Sequence, residues 1–267
     1  MTEKPCHETI SAEWSGMQNV ITNDSVSLLS HLQASFKRAR QIKLVVSFIM
    51  ESGVRLLLPD LQDALARKVS VQILTSRYLD ITEPSALYLL KDQLGSGVDI
   101  RIFESGNIAF HPKTYIFIGR DNGEVYVGSS NLSRSALIDG IEWNYRLRSQ
   151  QEPQDFSTFI QNFDGLFARA VPLTDEWLKD YSLSWKRPRW VGYRSVPQKK
   201  EDEAYPQGAQ IEALHYLEQA RAEGFQRGMV VMATGVGKTY LAAFDSKKFR
   251  RVLFVAHREE ILRQAME

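Results

Sequence analysis

Cysteine occurs once in the 267 residues, as Cys6 in a polar N-terminal stretch, so no internal disulfide framework can be built. The same scarcity leaves no cysteine cluster for zinc or iron–sulfur. The five histidines, at 7, 31, 111, 215 and 257, are scattered without metal-ligand spacing. No apolar run approaches the length needed to span a bilayer, and MTEKPCHETISAEW lacks the hydrophobic segment of a secretion signal. These absences predict a cytoplasmic chain with no membrane partner. Net charge is also small: 33 basic against 32 acidic residues give +1, so an electrostatic partner has to be read from distribution rather than from the total. There is no internal repeat and no low-complexity tract.

What is present reads as alternating helix and strand. NDSVSLLSHLQASFKRAR (23–40) has an apolar stripe through Leu28, Leu29, Leu32 and Phe36, a cap at Asn23 or Asp24, and basic residues at its end. KLVVSFIM (43–50) reads as a buried strand, 52–68 as a helix whose start Pro59 blurs, and VSVQILTS (69–76) as a strand. A helix at 84–95 and a strand at 98–103 continue the pattern, which predicts an α/β fold with helices on both sheet faces. KTYIFIG (113–119) and EVYVGSSN (124–131) are then two strands joined through Asn122-Gly123, followed by a strand at 142–149 and helices at 155–170 and 174–185. KRPRWVGYRSVPQKK (186–200) carries six basic residues and no acidic one. With Trp185, Trp190 and Tyr193 it has a composition suited to nucleic-acid backbone contact and base stacking, or to a solvated linker.

His111 and Lys113 alternate along a strand and therefore project from one face, which would bring an imidazole and an ammonium group into one pocket. Gly128-Ser129-Ser130-Asn131 ends the next strand and could donate to an anion, with Gly128 allowing close backbone approach. Glu142, opening the strand after that, could accept from the second nitrogen of His111 and hold its tautomer. These parts fit phosphodiester chemistry. The histidine attacks, Lys113 and Asn131 neutralise the non-bridging oxygens, and a second histidine protonates the leaving oxygen, with no metal ion. Ser47, in an otherwise apolar strand, reads as a satisfied core residue, and Arg77 as a surface residue.

His-X-Lys followed by Gly-Ser-X-Asn resembles the signature of the phospholipase D superfamily. GSSNLSRSALIDGIEWNYRL is similar to its bacterial nuclease branch and to restriction- or helicase-linked members. The resemblance spans about residues 20 to 180. It implies a mixed sheet flanked by helices, with His111 as nucleophile, Lys113 and Asn131 as phosphate ligands, Ser129 as a supporting donor and Glu142 as the histidine orienter. Many members carry an aspartate five residues after the lysine, where this chain has Ile118. The nuclease branch often lacks it, which favours a nuclease over a lipid enzyme. The family needs two His-X-Lys copies per active centre and the chain has one, because His31 and His257 lack the companion residues. The resemblance therefore implies a homodimer.

A second motif follows. MVVMATGVGKTYLAAF (229–244) reads as strand, glycine loop and helix, with Gly235 and Gly237 wrapping phosphates, Lys238 reaching the terminal ones and Thr239 ligating magnesium. Met232 stands where the general pattern has its first glycine. Ala-Thr-Gly-X-Gly-Lys-Thr nevertheless resembles motif I of superfamily 2 helicases, YPQGAQIEAL (205–214) the segment upstream with Gln210 as adenine reader, and VLFVAHREEILRQA (252–265) motif Ia. The acidic motif and second lobe of a motor are missing, so this segment reads as the opening of a longer ATP- and magnesium-dependent motor. The expected organisation is a nuclease domain over 1–182, a basic linker over 183–204 and the helicase opening over 205–267, acting on DNA. A lipid phosphodiesterase and a catalytically silent DNA-binding and dimerisation module are the alternatives.

Overall fold

The computed structural model describes residues 19–104, 106, 108–186, 204–233, 235–256 and 261–263. Most of the basic linker, with Trp190 and Tyr193, and also His257 lie outside the described residues. In chain order the elements are β1 (Val20–Thr22), α1 (Leu28–Phe36), β2 (Gln41–Val46), α2 (Glu51–Ala66), β3 (Ser70–Thr75), α3 (Pro84–Leu94), β4 (Val98–Ile102), β5 (Lys113–Ile118), β6 (Gly123–Gly128), β7 (Trp143–Arg148), α4 (Pro153–Arg169), β8 (Val171–Pro172), α5 (Asp175–Ser184), α6 (Ala209–Ala222) and α7 (Lys238–Ser246). The eight strands form one mixed sheet in the order β1-β7-β6-β5-β2-β3-β4-β8. β2, β3 and β4 are parallel, as two helical crossovers require, and every other pairing is antiparallel.

The period-two alternation of the strands sorts the core into two layers. Ile42, Leu44, Val46, Val71, Ile73, Tyr115, Phe117 and Tyr126 face the side covered by α1, α2, α3 and α5. Val45, Leu74, Ile116, Val125 and Leu147 face α4, whose Phe163 and Phe167 stack on each other. Lys43 points the same way and is nearly buried, paired to Asp164 of α4 and lying over the Phe163 ring.

Three local expectations need correction. The first helix starts at Leu28 rather than near residue 23, because Ser27 is its cap while Asn23 Oδ1 accepts from Leu28 N at 2.9 Å. Pro59 does not blur α2: the helix runs for 16 residues through it. Proline is exposed there, and the buried stripe of Leu57, Leu61 and Ala64 offsets the missing backbone bond, about 3 kcal/mol in a helix interior. The strand expected at the start of 229–244 is not formed among the described residues, and 252–256, where the motif Ia resemblance begins, has no strand either. Met229 and Leu253 are 88 % and 87 % exposed, and an isolated apolar strand has no ladder to join.

Helix α6 packs on the first part of the chain rather than standing apart from it. Ile211 is buried in the larger core, Tyr216 and Tyr88 hydroxyls meet at 2.7 Å, and Gly208 N donates to Glu51 Oε2 at 2.9 Å.

Candidate active site

β2 and β6 end where β5 and β7 begin, so the termini of four adjacent strands converge at one end of the sheet. The register places Val46 opposite Lys113, Thr114 opposite Val127 and Gly128 opposite Asn144. This end carries all the expected residues of the first motif. Lys113 is buried and His111 exposed. The lysine Nζ lies 2.7 Å from Nδ1 and 3.1 Å from Nε2 of His111, and 3.0 Å from its carbonyl oxygen. An ammonium group can only donate, so the ring nitrogen it meets is the unprotonated one. Burial first and the Lys113 charge second hold the His111 pKa below the ordinary imidazole value. Burial also lowers Lys113, and the Glu142 carboxylate partly opposes that shift.

Asn131 is buried and its Oδ1 accepts from Phe48 N at 3.2 Å, which fixes the amide and makes its NH2 end the donor. Ser129 donates to the Glu142 carboxylate, and Trp143 N donates back to Ser129 Oγ at 3.0 Å. Glu142 is thus joined to Ser129 and to the field around Lys113, while the imidazole's partner is Lys113. Gly128 is required by close strand approach: a Cβ there would fall 2.2 Å from the Trp143 carbonyl oxygen. Gly53 plays the same part behind Asn131, where a Cβ would fall 2.4 Å from the Leu132 carbonyl carbon. Met50 N completes that seam by donating to Leu132 O at 2.9 Å.

Ser47 is the satisfied core residue that its strand predicts, and it also touches the site. It is fully buried, donates to Pro112 O at 3.1 Å and accepts from Lys113 Nζ at 3.3 Å. Its carbonyl takes the Ser76 hydroxyl at 3.0 Å, the Ser76 carbonyl takes the Thr82 hydroxyl at 2.7 Å, and Tyr181 of α5 donates to Thr82 O at 2.7 Å. Ser47 follows the end of β2, which pairs with the His-X-Lys strand β5, and only that pairing brings it to Lys113. Tyr78 meets the His111 ring edge-on at 6.2 Å.

The second motif forms a separate place. Gly237 is left-handed (φ 77°) and caps α7, and Gly235 is left-handed as well (φ 84°). Lys238 Nζ donates to the carbonyls of Ala233 at 2.9 Å and Met232 at 3.3 Å, closing the loop on itself. Gln210, expected to read adenine, is buried and donates to the carbonyls of Val236 at 3.0 Å and Gly237 at 3.2 Å. Thr239, beside Lys238 in the first turn of α7, is half-buried.

A family model described as cardiolipin synthase, PLD-like domain, matches residues 31–169, and one described as type III restriction enzyme, res subunit, matches residues 204–267. Among solved structures the chain is similar to Nuc from Salmonella typhimurium, a phospholipase D family member, at 17 % identity over 58 % of this chain and 97 % of that one, with a TM-score of 0.46. NucT from Helicobacter pylori matches at 15 % identity, with 58 % and 97 % covered and a TM-score of 0.46. Phosphatidylserine synthase from Haemophilus influenzae Rd KW20 matches at 14 %, with 59 % and 41 % covered and a TM-score of 0.44. No curated protein matches the chain.

Proposed function

The chain belongs to the phospholipase D-like family, and from that premise we propose that it is a homodimeric nuclease that cleaves DNA through His111 without a metal ion. The observation that carries this reading is the Lys113 ammonium held against the unprotonated edge of an exposed imidazole. A bound phosphodiester would draw Lys113 onto its non-bridging oxygens and free the imidazole lone pair. That nitrogen then bonds to phosphorus while the bond to the leaving oxygen breaks, and the leaving oxygen takes a proton from a second imidazole. Water then bonds to phosphorus as its proton passes to that second imidazole, the P–N bond breaks, and both imidazoles return to their starting forms. Asn131, fixed by Phe48, and Ser129, tied to Glu142, serve as donors to the developing charge. The imidazole and the ammonium together supply nucleophile and charge neutralisation, the two roles that a metal ion would otherwise fill.

The second imidazole comes from a second copy of the chain. The rim of the site suits such a contact: Ile108, Ile141 and Trp143 are 72 %, 98 % and 72 % exposed beside His111 and Glu142. DNA as substrate is supported by the adjoining match to a restriction-enzyme subunit. In that segment the first turn of α7, Lys238 and Thr239 would hold nucleotide phosphates and magnesium. The loop's left-handed glycines and lysine fit that role. Gln210, bonded to the loop's own carbonyls, would sense the loop rather than stand free for adenine.

Labelled single- and double-stranded DNA, incubated in EDTA with wild type and His111→Ala, tests the proposal. Cleavage by wild type alone is expected. Absence of cleavage together with hydrolysis of cardiolipin or phosphatidylserine vesicles would replace it by a lipid phosphodiesterase, the reading that the name of the matching family model favours.

A further inference from the structure

The end of the sheet opposite His111 carries a second concentration of charge. There α1 runs into β2, α2 into β3, β5 into β6, and β7 ends. Lys37, Arg38, Arg40, Arg67, Arg120 and Arg148 converge on these turns. Contacts join them: Arg67 donates to the carbonyls of Phe36 at 2.8 Å and Ala39 at 3.3 Å, and Arg40 N donates to Ile118 O at 2.8 Å. A cavity of about 240 Å³ opens among them, lined by Arg38 and Arg148 and by the turn residues Gly119 and Asn122.

Among the described residues, three carboxylates face this group: Asp63 is paired with Arg67, Glu124 with Arg38, and Asp121 sits in the turn, so the six basic side chains outnumber them, while Arg148 also donates to Asn19 Oδ1 at 2.5 Å. Glu152 and Asp155 lie at the start of α4, on the other face of the sheet. Burial first, and then the charge of neighbouring Arg146 on β7, hold Arg148 below the ordinary guanidinium value, and Glu124 opposes that shift. Lys37, Arg38, Arg40 and Arg120 are exposed, and like charges gathered on one surface repel one another, a cost that a bound anion relieves.

We infer that this basic end binds the phosphodiester backbone of nucleic acid, with the Arg38–Arg148 cavity taking one phosphoryl group. Strands of five or six residues put it roughly 20 Å from His111, or about six base-pair rises along a duplex. Substrate would therefore be gripped at two separated points of one sheet, one chemical and one purely electrostatic. The inference extends the reading of the chain as a DNA enzyme, but binding alone tests it, so loss of cleavage does not bear on it.

The experiment is fluorescence anisotropy of a labelled duplex in EDTA. The full chain carries His111→Ala, and binding is compared with and without Arg38→Gln, Arg40→Gln and Arg120→Gln together, over a salt series. The three residues are exposed, and circular dichroism monitors the fold. The expected result is a loss of affinity of at least about tenfold at low salt and a salt slope reduced by about 2 to 3, the count of phosphate contacts removed. Glu124→Gln, which removes the cavity's carboxylate, should instead tighten binding. Unchanged affinity and slope in the triple variant, with Glu124→Gln also neutral, would falsify the assignment. Loss of binding to phosphatidylserine vesicles with duplex binding intact would overturn it as well, in favour of an anionic membrane surface.

Discussion

At the scale of single residues, the site depends on a lysine that is both buried and charged, and the geometry says what keeps it there. Ser47 is its neutral anchor, and it also satisfies the Pro112 carbonyl. Ser47→Ala should cost about 1–3 kcal/mol of stability from the orphaned buried groups. It should lower the rate of DNA cleavage by up to about 10²-fold, as small misplacements of a catalytic group do. Ser47→Thr should recover part of the rate, and kcat should fall more than KM rises, which a merely structural defect would not produce. The imidazole makes a second prediction. Burial and then the Lys113 charge hold its pKa below the ordinary imidazole value, which favours the neutral, nucleophilic form of the ring beside the lysine. Removing the neighbouring charge in Lys113→Met should move its NMR titration upward, and an unchanged or lower midpoint would show that burial alone sets it. His111, Lys113, Ser129, Asn131 and Glu142 are named by their spacing along the sequence, and the strand register gathers them at one end of the sheet. Ser47 was not, because its partner is 66 positions away and nothing local marks the contact.

Elements were legible where local pattern and tertiary demand agreed. The parallel strands β2 and β3 carry short apolar runs, β4 alternates apolar with charged residues, and α3 is bounded by Pro84 at its first turn and Gly95 at its end. β1 and β8, of three and two residues, exist only because a neighbouring strand offers a ladder. The reverse holds for 229–233 and 252–256, which are apolar enough to be strands but lack neighbours to pair with among the described residues. Helix α6 shows the same tertiary control, since its docking rests on contacts that no window of sequence contains. His215 Nδ1 meets Asp92 Oδ1 at 2.6 Å, with Asp175 at 3.8 Å from Nε2 and Lys91 beyond it. The hydrogen bond to Asp92 raises the His215 pKa above 6.5. A raised histidine stabilises the fold fully below pH 6.5, and that stabilisation is lost as pH climbs through the higher folded value. Thermal melts should therefore show wild type more stable than His215→Gln at pH 6, with the gap narrowing toward pH 9. A gap that widened with pH would mean that the pair does not clamp α6.

At the scale of the whole molecule, one chain holds one His-X-Lys, while the proposed reaction uses an imidazole twice, first as nucleophile and then as acid. A twofold pair would supply both from the same residue, one His111 ring on either side of the phosphorus. The apolar rim of Ile108, Ile141 and Trp143 gives the surface on which two copies would meet. Subunit mixing distinguishes this from a monomer that works alone. If wild type and His111→Ala exchange freely at equal amounts, about one quarter of symmetric dimers keep both imidazoles, whereas about one half of independent monomers would keep theirs. Activity should accordingly fall to about a quarter of that of the same total amount of unmixed wild type. Substituting Ile141→Asp should lower activity in a way that rising protein concentration partly restores, because a weakened interface is refilled by mass action. A mixed population retaining half the activity, at any concentration, would place both imidazole roles within one chain. It would leave the exposed rim without a partner of its own kind.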